Sequence, residues 1–291
     1  MTHLNFNLLK KGALPLFCLL ILFTAACKKK KPAETTYDVT QAHNLTNISY
    51  GSDNYQKMDI YLPANRNSST KVFVLIHGGG WGAGDKADFT EMLNSLKVYY
   101  PNHAIININY RLATQASPAF PKQIDDIQLA LNEISLPKYS VSSNFFLFGA
   151  SAGGHLSLLY AYGYDPNHHV KGICNTVGPA DFTDPNYLNN PIFAPSYGIL
   201  ISGGTQNSSL IQAVSPALRV TASAPPTLSF YGELDPLVPA TQMDRLHNAL
   251  DSLGVYNEKT MYQGAGHGDW NPTQANDYVA KMVLFVNAYF P

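Results

Sequence analysis

The chain has 291 residues, of which 45% are hydrophobic and 13% are charged, and its formal net charge is −1. This composition suffices for one large or two small domains with a sizeable core, and it excludes an intrinsically disordered chain. The chain is nearly neutral and lacks the excess of basic residues found in nucleic-acid-binding proteins, so we expect no nucleic-acid partner.

The N-terminus has the pattern of a secretory signal peptide. Lys10 and Lys11 precede the apolar run 13–23, which is too short for a membrane-spanning helix, and small residues at 24–26 then precede Cys27. A basic region, an apolar region and a small-residue cleavage site in this order are typical of such a leader. We therefore predict a signal peptide over residues 1–26.

The cysteine directly after the small residues resembles the lipobox of bacterial lipoproteins, although Thr24 stands where a larger aliphatic residue is usual. The resemblance implies cleavage before Cys27, lipidation of Cys27, and a lipid-anchored protein in a bacterial cell envelope, facing the periplasm or the exterior. An ordinary signal peptide or an uncleaved anchor is the alternative. The lysine-rich and polar residues 27–44 are predicted to form a flexible tether. Of the other cysteines, Cys18 leaves with the leader, and Cys174 is expected in the core.

From residue 45 to residue 291, short β-rich runs alternate with helical patterns, which predicts an α/β domain with a mostly parallel sheet. The predicted elements are, in chain order, a hairpin with its turn at 52–54, a strand at 72–76, a helix at 89–99, a strand at 104–110, a helix at 119–136, a strand at 145–149, a helix at 152–162, a strand within 170–179, a strand ending at 232, a helix at 240–253, a strand at 257–263 and a helix at 273–289.

Segment 181–213 interrupts this alternation. It is rich in Asn, Pro, Tyr, Ser and Gly, and it has weak periodicity. Long irregular stretches inside compact domains are usually functional loops. We predict a lid-like insertion here.

Ser151 lies in the only G-x-S-x-G pattern of the chain, GASAG. The pattern follows a predicted strand and opens a predicted helix, which is the arrangement of a nucleophile elbow. Small neighbours allow a sharp turn that exposes the serine, and the helix N-terminus favours negative charge beside it. A plain strand-to-helix turn is the alternative interpretation.

A serine hydroxyl needs a general base, and the base needs a carboxylate to orient it. His267 follows the last predicted strand in a Gly-rich loop, and Asp235 follows the preceding strand. Glu233 is a rival for the acid, and Asp269 is a closer but less suitable carboxylate. The chain order Ser, Asp, His is the order of α/β-hydrolases.

The stretch HGGGW, residues 77–81, directly follows the buried strand 72–76. Glycines after such a strand form the oxyanion loop of many esterases. A phosphate-binding loop is disfavoured, because the sequence has neither a G-x-G-x-x-G pattern with an acidic partner nor a Walker lysine.

Together these motifs resemble the α/β-hydrolase superfamily, and within it the HGGG esterases related to hormone-sensitive lipase and the feruloyl- and acetyl-esterase-like enzymes. The matching stretches are MDIYLP, IHGGGWGAGD, NYRL, FPKQIDDIQLAL, GASAGGHLSLL, SPAL, APPTLSFYGELDPLVP and GAGHG. The resemblance covers roughly residues 48–290. Segment 181–213 departs from it.

The resemblance implies that Ser151 is the nucleophile, His267 the base and Asp235 the acid that orients it. It further implies an oxyanion hole formed by the backbone N–H groups of three residues, Gly79, Gly80 and Ala152, with the part of Gly78 left open. Trp81 is a candidate for the substrate pocket, and a core position is the equal alternative. No metal and no cofactor are implied.

The sequence thus predicts a secreted, lipid-anchored serine hydrolase that cleaves carboxylic esters of short-chain or carbohydrate-linked acyl groups. A formamidase, another amidase or a peptidase-like hydrolase on the same triad is the alternative within catalysis. A non-catalytic surface binding protein on a hydrolase fold is the alternative outside it.

Overall fold

The computed structural model describes residues 36–291, and these contain one eight-stranded sheet. The strands are β1 (His43–Ser49), β2 (Lys57–Leu62), β3 (Val72–Ile76), β4 (Ala104–Ile108), β5 (Phe145–Ala150), β6 (Val170–Thr176), β7 (Thr227–Gly232) and β8 (Asn257–Tyr262). The predictions of a signal peptide, of lipidation at Cys27 and of a tether up to residue 35 lie outside the described residues.

Helices follow most of the strands. They are α1 (Thr90–Tyr99), α2 (Lys122–Ile134), α3 (Ala152–Gly163), α4 (Pro185–Leu188), α5 (Ala194–Leu200), α6 (Ser208–Ala213), α7 (Thr241–Ser252) and α8 (Pro272–Tyr289). Short 3-10 helices occupy Lys86–Phe89, Pro137–Tyr139, Gly204–Gln206 and Pro216–Leu218. No helix between residues 36 and 291 is long and apolar enough to cross a membrane.

The strand order is β1-β2-β4-β3-β5-β6-β7-β8. The pairs β1–β2 and β2–β4 are antiparallel, and the other neighbouring pairs are parallel. This confirms the predicted mostly parallel α/β sheet. Because the central strands are parallel, the loops that follow β3, β5, β7 and β8 meet at one edge of the sheet.

Alternation along the central strands divides the core between the two faces of the sheet. In β3, Val72, Val74 and Ile76 pack with α2, α3 and α7, whereas Phe73 and Leu75 pack with α1 and α8. All five residues are buried, as expected for a strand that is covered on both faces. Helix α3 is buried around almost its whole circumference, which fixes its N-terminus firmly against the sheet.

Segment 181–213 differs from the irregular loop that the sequence suggests. It contains the three short helices α4, α5 and α6, and several of its aromatic residues belong to the core cluster of the α3 face. Most of its large apolar side chains are buried, although Ile192 is exposed. This burial offsets the weak helical periodicity of the sequence. The segment is therefore a packed wall over the sheet edge.

The described end of the predicted tether, residues 36–44, is mostly exposed but is fastened to the domain through its backbone and Tyr37. The buried Arg66 guanidinium donates to the backbone carbonyls of Tyr37, Asp38 and Gln41 at 2.8–3.0 Å. The Tyr37 ring stacks on Tyr139, with ring centroids 5.5 Å apart. Strand β1 starts at His43, two residues before the predicted start of the domain.

Candidate active site

Ser151 lies at the sharp turn between β5 and α3 with φ 54° and ψ −121°. Such a backbone conformation is strained for a residue with a side chain. The turn is held by the Ser151 N–H, which donates to the Thr176 carbonyl at 2.8 Å. A Cβ on Gly153 would lie 2.0 Å from the Ile76 oxygen, and one on Gly149 would lie 2.2 Å from the Gly153 oxygen. Both flanking glycines are thus required by close backbone packing.

The structure brings His267 to Ser151 from the loop after β8. The distance from His267 Nε2 to Ser151 Oγ is 2.9 Å, and the distance from His267 Nδ1 to Asp235 Oδ2 is 2.7 Å. Since a carboxylate only accepts, Nδ1 carries the proton and Nε2 is free to accept the serine proton. This tautomer is the one that general-base activation of a serine requires.

Asp235 is held in place by its own loop. Its Oδ1 accepts from the backbone N–H groups of Leu237 and Val238 at 2.7 and 2.9 Å. Its side chain has no exposed surface, whereas 21% of the His267 side chain is exposed. The carboxylate is thus fixed and buried, while the imidazole reaches the mouth of the site.

The two rival carboxylates have other partners. Glu233 accepts from the Gly264 N–H at 3.0 Å, and Asp269 accepts from the Gly266 N–H at 2.6 Å. Both bonds brace the loop that carries His267. The geometry therefore selects Asp235 as the partner of the imidazole.

The predicted oxyanion loop reaches the same place. Gly79, Gly80 and Trp81 follow one another with φ 105°, 55° and 63°. A Cβ on Gly78 would lie 3.3 Å from the Ser151 Cβ, so the loop passes directly beside the nucleophile. Within residues 36–291, no acceptor takes the backbone N–H of Gly79, Gly80 or Ala152. These donors are available to a developing oxyanion.

His77 braces the start of this loop. Its ring stacks on Tyr110 with centroids 4.2 Å apart, and the Tyr110 hydroxyl donates to the His77 carbonyl at 2.8 Å. Burial lowers the pKa of His77. A neutral buried ring of this kind supports the loop and is not placed to exchange protons with substrate.

A cavity of about 150 Å³ opens beside Ser151. Its wall has no charged side chain and is mostly apolar. It is lined by Gly80, Trp81, Ser151, Ala152, Pro179, Tyr187, Ile192, Phe193, Ser196, Leu237 and Val238. Segment 181–213 supplies Tyr187, Ile192, Phe193 and Ser196, whose individual positions the sequence did not reveal. Trp81 is 3% exposed and also borders the cavity, so it occupies both a core position and a position in the cavity wall.

A buried polar network ties the start of segment 181–213 to α7. Arg245 Nη1 lies 2.6 Å from Asp181 Oδ2, and Gln242 Nε2 donates to Asp184 Oδ2 at 2.9 Å. Asp184 caps α4, which carries Tyr187 of the cavity wall. Sequence reasoning missed these residues; the only signal was the pair of acidic residues at the head of the segment. Within the described range, no group of three or more His, Cys, Asp or Glu side chains is arranged to hold a metal ion.

The chain is similar to a known family and to several known proteins. The BD-FAE family profile matches residues 58–250, which is more than half of the chain. Esterase LipC of Mycobacterium tuberculosis (strain ATCC 25618 / H37Rv) is 27% identical over 244 residues, covering 76% of this chain. Kynurenine formamidase of Danio rerio is 21% identical over 234 residues, covering 78% of this chain and 74% of the relative. The match spans only 59% of the length of LipC.

Among solved structures, a truncated carbohydrate esterase from gut microbiota superposes with a TM-score of 0.72 at 23% identity, covering 88% of this chain and 99% of that one. This likeness confirms the predicted α/β-hydrolase fold. Esterase LipQ, from the same organism as LipC, is 26% identical over 231 residues, covering 74% of this chain and 54% of the relative. From the matched profile, the chain belongs to the BD-FAE family.

Proposed function

We propose that the protein is a serine hydrolase that cleaves carboxylic esters through an acyl-enzyme. The observation that supports this proposal most directly is the chain of hydrogen bonds from Asp235 through His267 to Ser151. Ser151 borders an apolar cavity and lies beside unpaired backbone N–H donors. Positioned groups of this kind perform nucleophilic acyl transfer without a cofactor.

In acylation, Ser151 Oγ attacks the acyl carbon while its proton moves to His267 Nε2. The resulting imidazolium is stabilised by Asp235. The negative charge on the former carbonyl oxygen is stabilised by the backbone N–H groups of Gly79, Gly80 and Ala152. The intermediate then collapses, the bond between the acyl carbon and the alcohol oxygen breaks, and His267 returns the proton to the departing alcohol.

In deacylation, a water molecule takes the place of the alcohol. It gives a proton to His267 Nε2 as it attacks the acyl carbon, and the same N–H donors stabilise the second oxyanion. His267 then protonates Ser151 Oγ as the serine leaves. The acid product is released and the free enzyme is restored.

The cavity favours a short, uncharged acyl group. It has a volume of about 150 Å³ and an apolar wall without a charged side chain, so a charged acyl group would lose its hydration without gaining a partner. The likeness to a carbohydrate esterase makes carbohydrate-linked acyl groups the first alcohol class to test.

The experiment compares the mature chain with Ser151→Ala on p-nitrophenyl acetate, butyrate and octanoate, on acetylated xylan fragments and on feruloylated sugars. We expect turnover of short acyl esters by the native chain and its loss in the variant. Unchanged turnover in Ser151→Ala would contradict the mechanism. Labelling by a fluorophosphonate separates this proposal from a non-catalytic binding protein, because only an activated serine reacts.

Amide hydrolysis is the second candidate. The similarity to a kynurenine formamidase over 78% of the chain favours it, and the same hydrogen-bonded line serves ester and amide cleavage. N-formyl compounds therefore belong in the same panel. A kcat/KM for an N-formyl amide above that for every ester would favour this candidate over the first.

We also propose that the protein is secreted and anchored to the cell envelope by a lipid on Cys27. The support is the leader pattern of residues 1–26 followed directly by that cysteine. Metabolic labelling with a fatty-acid analogue compares the native chain with Cys27→Ser. We expect label only in the native chain, and equal labelling of both would refute the anchor.

A further inference from the structure

His155 contacts the turn that carries the nucleophile, the oxyanion loop and the wall beside the cavity, although it touches none of the reacting atoms. It lies one turn after Ser151 on α3, and its backbone N–H donates to the Ser151 carbonyl at 3.0 Å. Its ring is fully buried. Trp81 Nε1 lies 3.0 Å from His155 Nδ1, and His155 Nε2 lies 2.8 Å from the Val214 carbonyl oxygen.

These two partners determine the protonation state of the ring. The Trp81 indole N–H can only donate and the Val214 carbonyl can only accept. Nδ1 must therefore be the acceptor and Nε2 must carry the proton. Burial lowers the pKa of His155 to about 4, so the ring is neutral near pH 7. Protonation would place a hydrogen on Nδ1 and break the bond to Trp81.

Trp81 in turn fixes the end of the oxyanion loop. It is the third consecutive residue with positive φ, a conformation that costs a non-glycine residue on the order of 1 kcal/mol or more and must be held by its surroundings. Its carbonyl accepts from the Ala113 N–H at 2.9 Å and from Gln123 Nε2 at 2.7 Å. Its side chain has one polar atom, and His155 is the acceptor for it.

We propose that His155 is a positioning residue of the reaction: by accepting the Trp81 indole N–H, it holds the backbone N–H groups of Gly79 and Gly80 at the distance from Ser151 that the oxyanion needs. This inference rests on the proposed function. The ring also packs edge-on against Phe182, with centroids 5.1 Å apart, and bonds to Val214. It thus connects the oxyanion loop to the start of segment 181–213 and to the residue that directly follows the segment.

Two substitutions separate the bonds of this ring. In His155→Asn, the amide oxygen occupies the place of Nδ1 and can still accept from Trp81. In His155→Gln, the amide nitrogen occupies the place of Nε2 and can still donate to Val214. Both variants carry a neutral side-chain amide and differ in which of the two hydrogen bonds they keep, so each is the matched control of the other.

The measurements use a Trp270→Phe background, in which Trp81 is the only tryptophan of the chain. For a short p-nitrophenyl ester, we expect kcat of His155→Gln to fall by about 10- to 100-fold, because a shifted oxyanion donor loses much of its value in the transition state. We expect KM to stay within about twofold, and the Trp81 emission to shift. His155→Asn should keep the emission and lose less than about threefold in kcat.

Equal losses of kcat in the two variants, or a His155→Gln variant with the reference kcat, would overturn the inference. If both variants fail to fold, Trp81→Phe removes the same bond from the other side; we expect a similar fall in kcat, and an unchanged kcat overturns the inference. Absence of turnover and of fluorophosphonate labelling in the Trp270→Phe reference and in the native chain would refute the proposed function itself. The two failures are therefore distinguishable.

Discussion

Lowering the pH from 7 to 5 should lower the free energy of unfolding, and protonation of His155 should account for a calculable part of this decrease. The ring is buried, and the hydrogen bond that its Nδ1 accepts from Trp81 requires the neutral form. Its pKa is lowered from 6.5 to about 4 in the folded chain. The unfolded chain therefore takes up the proton first as the pH falls. The contribution of His155 to stability is complete above pH 6.5 and is lost progressively between pH 6.5 and pH 4.

From these two values, proton linkage predicts that His155 lowers the free energy of unfolding by about 2 kcal/mol between pH 7 and pH 5. The assay is urea unfolding of the native chain and of His155→Asn at both pH values. The variant changes stability at every pH, so the quantity compared is the difference between the two pH values within each chain. We expect this difference to be smaller in the variant by about 2 kcal/mol.

Other buried histidines do not obscure the comparison. Burial also lowers the pKa of His77 and of His247, but both remain in the native chain and in the variant. Their shares cancel when the two differences are subtracted. An equal pH dependence in the native chain and in His155→Asn would refute the reasoning, since the ring would then bind its proton equally well in the folded and the unfolded state.

Three further predictions concern the site and its wall. Asp235→Asn should lower kcat by about 10³- to 10⁴-fold because the imidazole is no longer held in the required tautomer. The kcat of Asp269→Asn, which keeps an acceptor for the Gly266 N–H, should stay within about threefold of the native value. Ester kinetics on both variants test this, and equal losses of kcat would contradict it. Phe193→Ala should raise the kcat/KM of hexanoate relative to acetate by about 10-fold. The space left by the ring would bury about two more methylenes of the acyl chain, at about 0.8 kcal/mol each. An unchanged ratio would place the acyl chain elsewhere. Arg245→Met should lower the free energy of unfolding by about 2 kcal/mol because it leaves Asp181 buried without its cation. The 38% exposure of the arginine side chain moderates this effect. Urea titration measures the change, and an unchanged free energy of unfolding would show that the remaining hydrogen bonds suffice to stabilise the Asp181 carboxylate.

Much of the fold follows from local pattern. The unbroken apolar run of β3 predicts a strand buried on both faces, and the structure buries all five residues. The spacing of Ile124, Ile127, Leu131 and Ile134 predicts the buried stripe of α2, and each of these residues is buried. Such features depend on the nearest neighbours in the chain and on one buried face, so a single sequence is enough to indicate them.

The candidate site was predictable as far as it is built from strand ends. Motifs after β3, β5, β7 and β8 must meet at one edge once the strands are parallel. The structure brings Ser151, Asp235 and His267 into hydrogen-bond distance in that place. Glu233 and Asp269 were open rivals at the sequence level, because a choice among carboxylates a few residues apart depends on how one loop turns.

The wall of the cavity could not be predicted in the same way. Segment 181–213 has weak periodicity, and its short helices are stable only because Tyr187, Phe193 and Tyr197 pack into the core. The packing of Tyr37 beside Arg66 is of the same kind, since it depends on a partner far along the chain.

The sequence by itself determined the alternation of strands and helices, the sharp turn at Ser151 and the order of the groups around it, because these depend on short-range pattern and on the direction of parallel strands. Only the tertiary structure decided which carboxylate meets His267, how segment 181–213 closes the cavity, and that Trp81 donates to His155 across 74 positions of the chain. Hydrogen bonds and packing between distant segments depend on ångström-scale geometry that no local pattern specifies.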